Sequence, residues 1–112
     1  MSKRDDDVCL QDIRLAILRI QDYVAGMTAA DFLSDTKTQD AVLRNLEIIG
    51  ESVKLVSEEL KQANDQVPWR AMARLRDRLI HHYFGVNLDI VWDVVQRDLP
   101  DLLSQIEFIL FS

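Results

Sequence analysis

The sequence has few of the residues that would place it in several common classes of protein. It contains one cysteine, two prolines and three glycines among 112 residues. Cys9 has no second cysteine with which to form an internal disulfide, which excludes a disulfide-stabilised scaffold. No apolar run approaches the roughly 18 residues that a membrane-spanning helix needs, and the N-terminus lacks the apolar core of a signal peptide. We therefore expect a cytoplasmic protein with no membrane partner.

Charged residues are plentiful but unevenly distributed. The chain has 13 basic and 19 acidic side chains and a net charge of −6, which argues against a protein that coats nucleic acid without specificity. Residues 66–88 are the exception, because four arginines and a single acid, Asp77, give this segment a charge of +3 and leave −9 for the remainder. A polyanion could bind locally here, although arginines also cluster on helices by chance.

Apolar residues spaced three or four apart predict long amphipathic helices. No stretch alternates apolar and polar residues for long enough to predict a sheet. The apolar positions of the first two helices are Leu10, Ile13, Ile17, Ile20, Val24 and Met27, followed by Val42, Leu46, Ile49, Val53, Val56 and Leu60. We expect the first helix to begin near the aspartates at 5–7 and to end at Gly26. The second is predicted to run from residue 35 or 38 to Ala63.

Capping residues and prolines predict the limits of the remaining helices. Thr28 can cap a short helix. Pro68 suits the first position of a third long helix, which we expect to end near Gly85. Asn87 can cap a last helix, and Pro100 within it would clash with the preceding turn. That C-terminal helix is therefore predicted to be kinked or split at Pro100.

Together these helices predict an all-α fold. A chain of this length can bury one core but not two. The spacing of its apolar residues suits antiparallel packing at a small crossing angle. We expect residues 1–112 to form a single domain, an up-down four- to five-helix bundle built from four long helices plus one or two short ones.

Arg76 is an anomaly in the third long helix. On a helical wheel with Trp69 at 0°, the apolar residues centre near 320° and Arg76 falls at about 340°. An arginine in an apolar stripe is costly to bury unless an anion or a hydrogen-bond acceptor meets it. Three explanations remain open. Arg76 pairs with a buried carboxylate, its stem lies along the core while the guanidinium reaches solvent, or this face lines a cleft or a subunit interface.

His81 lies on the other, basic face of this helix. A histidine on such a face is usually solvated, but Asp77 could accept a hydrogen bond from the ring and favour its protonated form. The Asp77–His81 spacing would also suit a metal ion. Because no further cysteine or histidine ligands accompany the pair, we predict no metal site. His82 projects about 100° away and is expected at the edge of the face.

Residues 76–83 and their surroundings resemble the HEPN superfamily, and within it the HepT-like toxins. The superfamily signature is an arginine, four to six residues and then a histidine, and the HepT version adds a tyrosine two residues later. Arg76, His81 and Tyr83 match it, and Asp77 after the arginine is polar as in the family but charged. The resemblance covers nearly the whole chain, because further segments match: Ile49–Glu51, Pro68–Trp69, and Val86–Leu88 through Leu99–Pro100.

The resemblance implies a HEPN-like helical domain that dimerises around the motif and acts as an endoribonuclease without a metal ion or cofactor. It implies the toxin of a type VII-like toxin-antitoxin pair, whose partner is a nucleotidyltransferase antitoxin similar to MntA. In the family, that antitoxin transfers AMP to the motif tyrosine. The implied site residues are His81 as general acid/base, Arg76 as phosphate clamp, Tyr83 as the modified residue, and Asp77, Arg78, Arg74 and His82 in supporting or RNA-binding roles.

The chemistry of RNA is compatible with such a site. Its 2′-hydroxyl is a nucleophile already adjacent to phosphorus, so neither a metal ion nor an enzyme nucleophile is obligatory. A histidine suits the proton transfers, and an arginine suits the charge on the phosphorane. Arg76 and His81 nevertheless lie about 140° apart on an ideal helix. Either the helix distorts before Gly85 or the site combines residues of two protomers, which the implied dimer favours.

Two other functions remain open. The chain could be a noncatalytic helical module that binds RNA or a nucleotide, or that docks a partner, and the acidic net charge mildly favours this reading. It could also be a plain structural bundle. In that case the match of His81 and Tyr83 to the motif is a coincidence.

Overall fold

The computed structural model describes the backbone of residues 3–81 and 87–112 and the side chains of residues 5–75 and 87–112. The helices are α1 (Lys3–Tyr23), α2 (Ala29–Leu33), α3 (Thr36–Leu55), α4 (Glu58–Ala63), α5 (Trp69–His81), α6 (Leu88–Asp93) and α7 (Leu99–Phe111), and a π-helical turn at Val94–Asp98 joins α6 to α7. Over these residues there is no strand, which confirms the predicted all-α fold. No helix in this part of the chain is long and apolar enough to span a membrane.

The long helices pack around one apolar core. α3 packs against both α1 and α5, and α7 packs against α1. The start of α1 meets the end of α3, as expected for antiparallel neighbours, because Asp6 hydrogen-bonds to Ser57. The most deeply buried side chains come from the stripes predicted for the first two helices and from α2 and α7: Leu10, Ile13, Ile17, Ile20, Phe32, Val42, Leu46, Ile49, Val53 and Ile106.

The second long helix is shorter than predicted. It ends at Leu55 instead of Ala63, and the short α4 follows. Ser57 caps α4 by accepting a hydrogen bond from Leu60 N, while its own N–H and hydroxyl donate to the Asp6 carboxylate at 2.8 and 2.6 Å. Asp6 is only 5% exposed. The contact between Asp6 of α1 and Ser57 therefore supports the start of α4. The apolar periodicity of residues 42–60, which continues across the break, does not reveal this start.

The predicted break near Pro100 is confirmed and takes the form of a π-helical turn. Leu99 N–H donates to Val94 O, five residues back, at the end of this wider turn. Pro100 then falls in the first turn of α7 and, because it has no N–H, cannot continue the hydrogen-bond pattern of the π-helical turn. The C-terminal segment is thus split into α6 and α7 without an intervening loop.

The predicted caps of α2 and α6 are also confirmed. Thr28 and Asp31 form a reciprocal capping box, with Asp31 N donating to Thr28 Oγ1 and Thr28 N donating to Asp31 Oδ2. Asn87 Oδ1 accepts hydrogen bonds from the first turn of α6. Gly26, at φ 78°, closes α1 in the left-handed conformation that favours glycine.

Candidate functional site

The start of α5, the helix that carries the motif, is tied firmly to the preceding loop. The Trp69 indole Nε1 donates to Asn64 O at 3.0 Å, and Trp69 N donates to Val67 O at 2.8 Å. Pro68 precedes the first residue of α5, one position earlier than predicted, and its carbonyl accepts the first helical hydrogen bond, from Met72 N. Val67 and Trp69 are buried. These contacts set the rotation of α5 about its axis.

That rotation decides which face of α5 is turned toward the core. Trp69 and Met72 are buried, whereas Arg70 and Arg74 are exposed. Measured from Trp69, Met72 lies at about 300° and the two arginines at about 100° and 140°. Position 76, at about 340°, therefore falls between the two buried residues. By helical register, position 76 belongs to the same face of α5 as Trp69 and Met72, and the environment of the Arg76 side chain stays a prediction.

Position 81 belongs to the other face. At about 120° it falls between Arg70 and Arg74 on the outward side of α5. The α-helix is unbroken from Trp69 to His81. A distortion between positions 76 and 81 therefore does not bring them together, and the two remain about 140° apart around one helix axis.

Most of the predicted site residues lie outside the described side chains. Of the named residues, only Arg74 has a described side chain, and it is exposed. The structure describes the backbone but not the side chains of four of them, Arg76, Asp77, Arg78 and His81. It describes neither His82 nor Tyr83, and the predicted helix end at Gly85 also lies outside the described residues. Their roles stay predictions.

A groove of about 620 Å³ lies between α4 and the first turns of α5, and we call it the α4–α5 groove. Lys54, Lys61 and Arg70 contribute positive charge to its lining, and Glu58 and Asp65 contribute negative charge. Glu58 Oε1 lies 3.7 Å from Lys61 Nζ, so part of this charge is already paired. The groove opens beside the exposed face of α5 that carries Arg70.

A second groove, of about 510 Å³, lies between α5, the π-helical turn and α7, and we call it the α5–α7 groove. Ile49, Met72 and Leu75 give it an apolar lining, and the exposed Asp98 and Asp101 line its α7 side. No basic residue lines it within the described part of the chain. Its chemistry suits apolar or cationic groups rather than phosphate.

The described residues offer little other chemistry. Burial, followed by the negative charges of Asp12, Asp6 and Asp5, raises the pKa of the Cys9 thiol, so Cys9 is poorly suited to act as a thiolate nucleophile. Among the side chains of residues 5–75 and 87–112, no three acidic, cysteine or histidine groups are placed to hold a metal ion.

Two features of this region were not predicted from the sequence. Arg70 is one of the four arginines of residues 66–88, but its position beside the α4–α5 groove depends on where α4 begins. Asp98 and Asp101 are close to α5 only in the folded chain. The signal available for Arg70 was its four-residue spacing from Arg74, which puts both on one helix face.

Comparison with known proteins connects this helix to a family. The model of a family described as ribonuclease HepT-like matches residues 13–109, which include the whole of α5. The chain belongs to the ribonuclease HepT-like family. The resemblance inferred from the motif is thereby confirmed at the level of the family.

Two curated relatives match this chain over nearly their full lengths. The protein named "Putative RNase MJ0127", from Methanocaldococcus jannaschii, is 48% identical over 110 residues, which is 98% of this chain and 91% of the relative. "Probable ribonuclease HepT", from Thermococcus cleftensis, is 45% identical over 105 residues, which is 94% of this chain and 96% of the relative. No solved structure gives a significant match.

Proposed function

We propose that this chain is a metal-independent endoribonuclease and the toxin of a toxin-antitoxin pair, acting in the cytoplasm as a homodimer. The observation that carries this proposal is the HepT-like family match across residues 13–109, within which Arg76, His81 and Tyr83 retain the motif spacing. The two faces of α5 supply the geometric part of the argument.

In the proposed reaction, the 2′-hydroxyl of a nucleotide attacks its own 3′-phosphate. His81 accepts the hydroxyl proton or, once protonated, donates a proton to the departing 5′-oxygen. Arg76 stabilises the negative charge of the phosphorane with its planar guanidinium. The P–O5′ bond breaks as the P–O2′ bond forms, which leaves a 2′,3′-cyclic phosphate and a 5′-hydroxyl. Water is not consumed in this step.

The proposed site combines residues from two protomers. Positions 76 and 81 of one helix are about 140° apart, so a single phosphate is reached more easily by Arg76 of one copy and His81 of the other. Asp77 would orient His81 by accepting its ring N–H. Arg74, Arg78 and His82 are assigned to RNA contacts around this centre.

The proposed regulation is the transfer of AMP to Tyr83 by a nucleotidyltransferase antitoxin similar to MntA. The phenolic oxygen would attack the α-phosphorus of ATP, and pyrophosphate would leave. If the α5 register continues past His81, position 83 lies within about 20° of position 76. A bulky anionic group there competes with the RNA phosphate for Arg76, which gives inactivation a physical route.

The decisive experiment measures RNA cleavage by the purified chain in the presence of EDTA. We expect wild-type protein to produce 2′,3′-cyclic phosphate ends, and we expect His81→Ala and Arg76→Ala each to reduce the rate by at least about 10². Arg97→Ala, at an exposed position of the π-helical turn, is the matched control and should retain wild-type activity. Persistent cleavage in both motif variants contradicts the mechanism.

A noncatalytic module that binds RNA or a nucleotide, or that docks a partner, is the second candidate, and the net charge of −6 favours it. It predicts partner binding without RNA cleavage. It also predicts that overexpression leaves bacterial growth unchanged, whereas the toxin stops growth unless His81 is replaced.

A further inference from the structure

The outward face of α5 carries a line of basic positions. Arg70 and Arg74 are both exposed and lie one helical turn apart, about 6 Å along the axis. Position 81 continues the line about 10 Å farther on, within about 20° of either arginine around the axis. Arg70 and Arg74 therefore lie on the same face of α5 as position 81, which carries the predicted general acid/base.

The charges around this line leave the two arginines available to an anion. Among the described side chains, no carboxylate lies within ion-pair distance of either Arg70 or Arg74. The acids that line the α4–α5 groove are Glu58, which lies 3.7 Å from Lys61, and Asp65. By register, Asp77 falls near the line at about 80°, between Arg74 and position 81. The line of positions is thus basic at Arg70 and Arg74, near α4, and has both positive and negative charge near the motif.

We propose that Arg70 and Arg74 form a phosphate track that guides a single-stranded segment of the RNA substrate from the α4–α5 groove toward the motif. This inference rests on the proposed ribonuclease function and adds a substrate path to it. A single strand is specified because attack by the 2′-oxygen in line with the leaving 5′-oxygen requires rotation of the backbone that a base-paired helix restrains. In the groove beyond the first turn of α5, Lys54 and Lys61 are balanced by Glu58 and Asp65, so the net positive charge of its lining comes from Arg70.

The opposite side of α5 is a poor alternative path. Asp98 and Asp101 line the α5–α7 groove, and no described basic residue balances them there. An RNA phosphate entering that groove would be desolvated against apolar side chains and repelled by two carboxylates. Charge therefore selects the α4–α5 side of the helix.

Salt titration of RNA binding tests the track directly. The probe is a short fluorescein-labelled single-stranded RNA, and all proteins carry His81→Ala so that binding is measured without cleavage. Each phosphate contact contributes about 0.7 to the steepness with which the logarithm of affinity falls with the logarithm of salt concentration. We expect Arg70→Gln and Arg74→Gln each to weaken binding several-fold and to lower that slope by about 0.7.

Two control variants separate contact from overall charge. Arg19→Gln removes the same charge from an exposed position of α1 and should leave the slope unchanged. Arg70→Lys keeps the charge and should restore the slope, though not the geometry of a guanidinium fork. Circular dichroism melting of each variant should match the parent, because all three positions are exposed.

The outcomes distinguish this proposal from the ribonuclease proposal. If Arg70→Gln and Arg74→Gln change the slope no more than Arg19→Gln does, or if the RNA does not bind at all, the track is overturned. Wild-type protein that still cleaves RNA in the first case leaves the ribonuclease proposal intact. If the slopes fall as expected but wild-type protein yields no cleavage products, the track stands and the proposed catalysis fails.

Discussion

The α4–α5 groove and the α5–α7 groove border the same helix, yet their linings differ in charge. The first has three basic residues against two acids. The second has an apolar lining and an acidic side formed by Asp98 and Asp101. Both depend on the rotation of α5, which turns Arg70 and Arg74 outward and Met72 toward the core.

This difference is the basis for the proposed phosphate track on an otherwise acidic protein. Asp98 of the π-helical turn and Asp101 of α7 make one side of α5 acidic, whereas Arg70 and Arg74 lie on the other side. The remaining acidity of the chain lowers non-specific affinity for nucleic acid without opposing the short basic line. Net charge is therefore a poor guide to what this helix binds.

The largest expected effect comes from removing the residue that anchors α5 between the two grooves. Trp69→Ala deletes a buried ring and its hydrogen bond to Asn64 O, so we expect it to lower the free energy of unfolding by about 3–5 kcal/mol. Urea denaturation followed by circular dichroism measures this loss. Phe108→Ala is the control, since Phe108 is 67% exposed and its truncation should cost less than about 0.5 kcal/mol. Equal losses for the two variants would show that α5 is anchored elsewhere.

A smaller loss of stability is expected from weakening the contact that holds α4, which forms one side of the α4–α5 groove. Asp6→Ala leaves the Ser57 N–H and hydroxyl without their carboxylate partner, at an expected cost of about 2 kcal/mol. Hydrogen exchange should accelerate in α4 but not in α7. Asp7→Ala, at an exposed neighbouring position, should change neither helix. Uniform acceleration in both helices would mean that the Asp6–Ser57 contact supports the whole bundle.

The smallest effect is expected from the acidic side of the α5–α7 groove. Replacing Asp98 and Asp101 together by asparagine removes two exposed negative charges, but charges beyond about 8–10 Å are largely screened at physiological salt. We expect the affinity for single-stranded RNA to change by less than about twofold. Fluorescence anisotropy at 0.15 M salt measures it. A larger gain, with a steeper salt dependence, would place RNA in this groove and remove the contrast between the two sides.

Much of the fold follows from local sequence. The three- and four-residue spacing on α1 and α3 identifies their buried faces. Thr28 and Asn87 mark helix starts because their side chains accept hydrogen bonds from the first turn, and Gly26 marks a helix end because it adopts the left-handed conformation. The motif spacing likewise identifies the family from α5. These features need only near neighbours in the chain, so they can be predicted without the tertiary structure.

Other features depend on contacts between distant residues. The break before α4 is supported by the Asp6 carboxylate, 51 residues away from Ser57. The two grooves exist because α4 and α7 lie on different sides of α5. The sequence alone determined that Arg76 and His81 belong to different faces of one helix, since helical periodicity requires it. Only the tertiary structure decided which face is turned toward the core and which charges line each side, because those depend on how α5 packs.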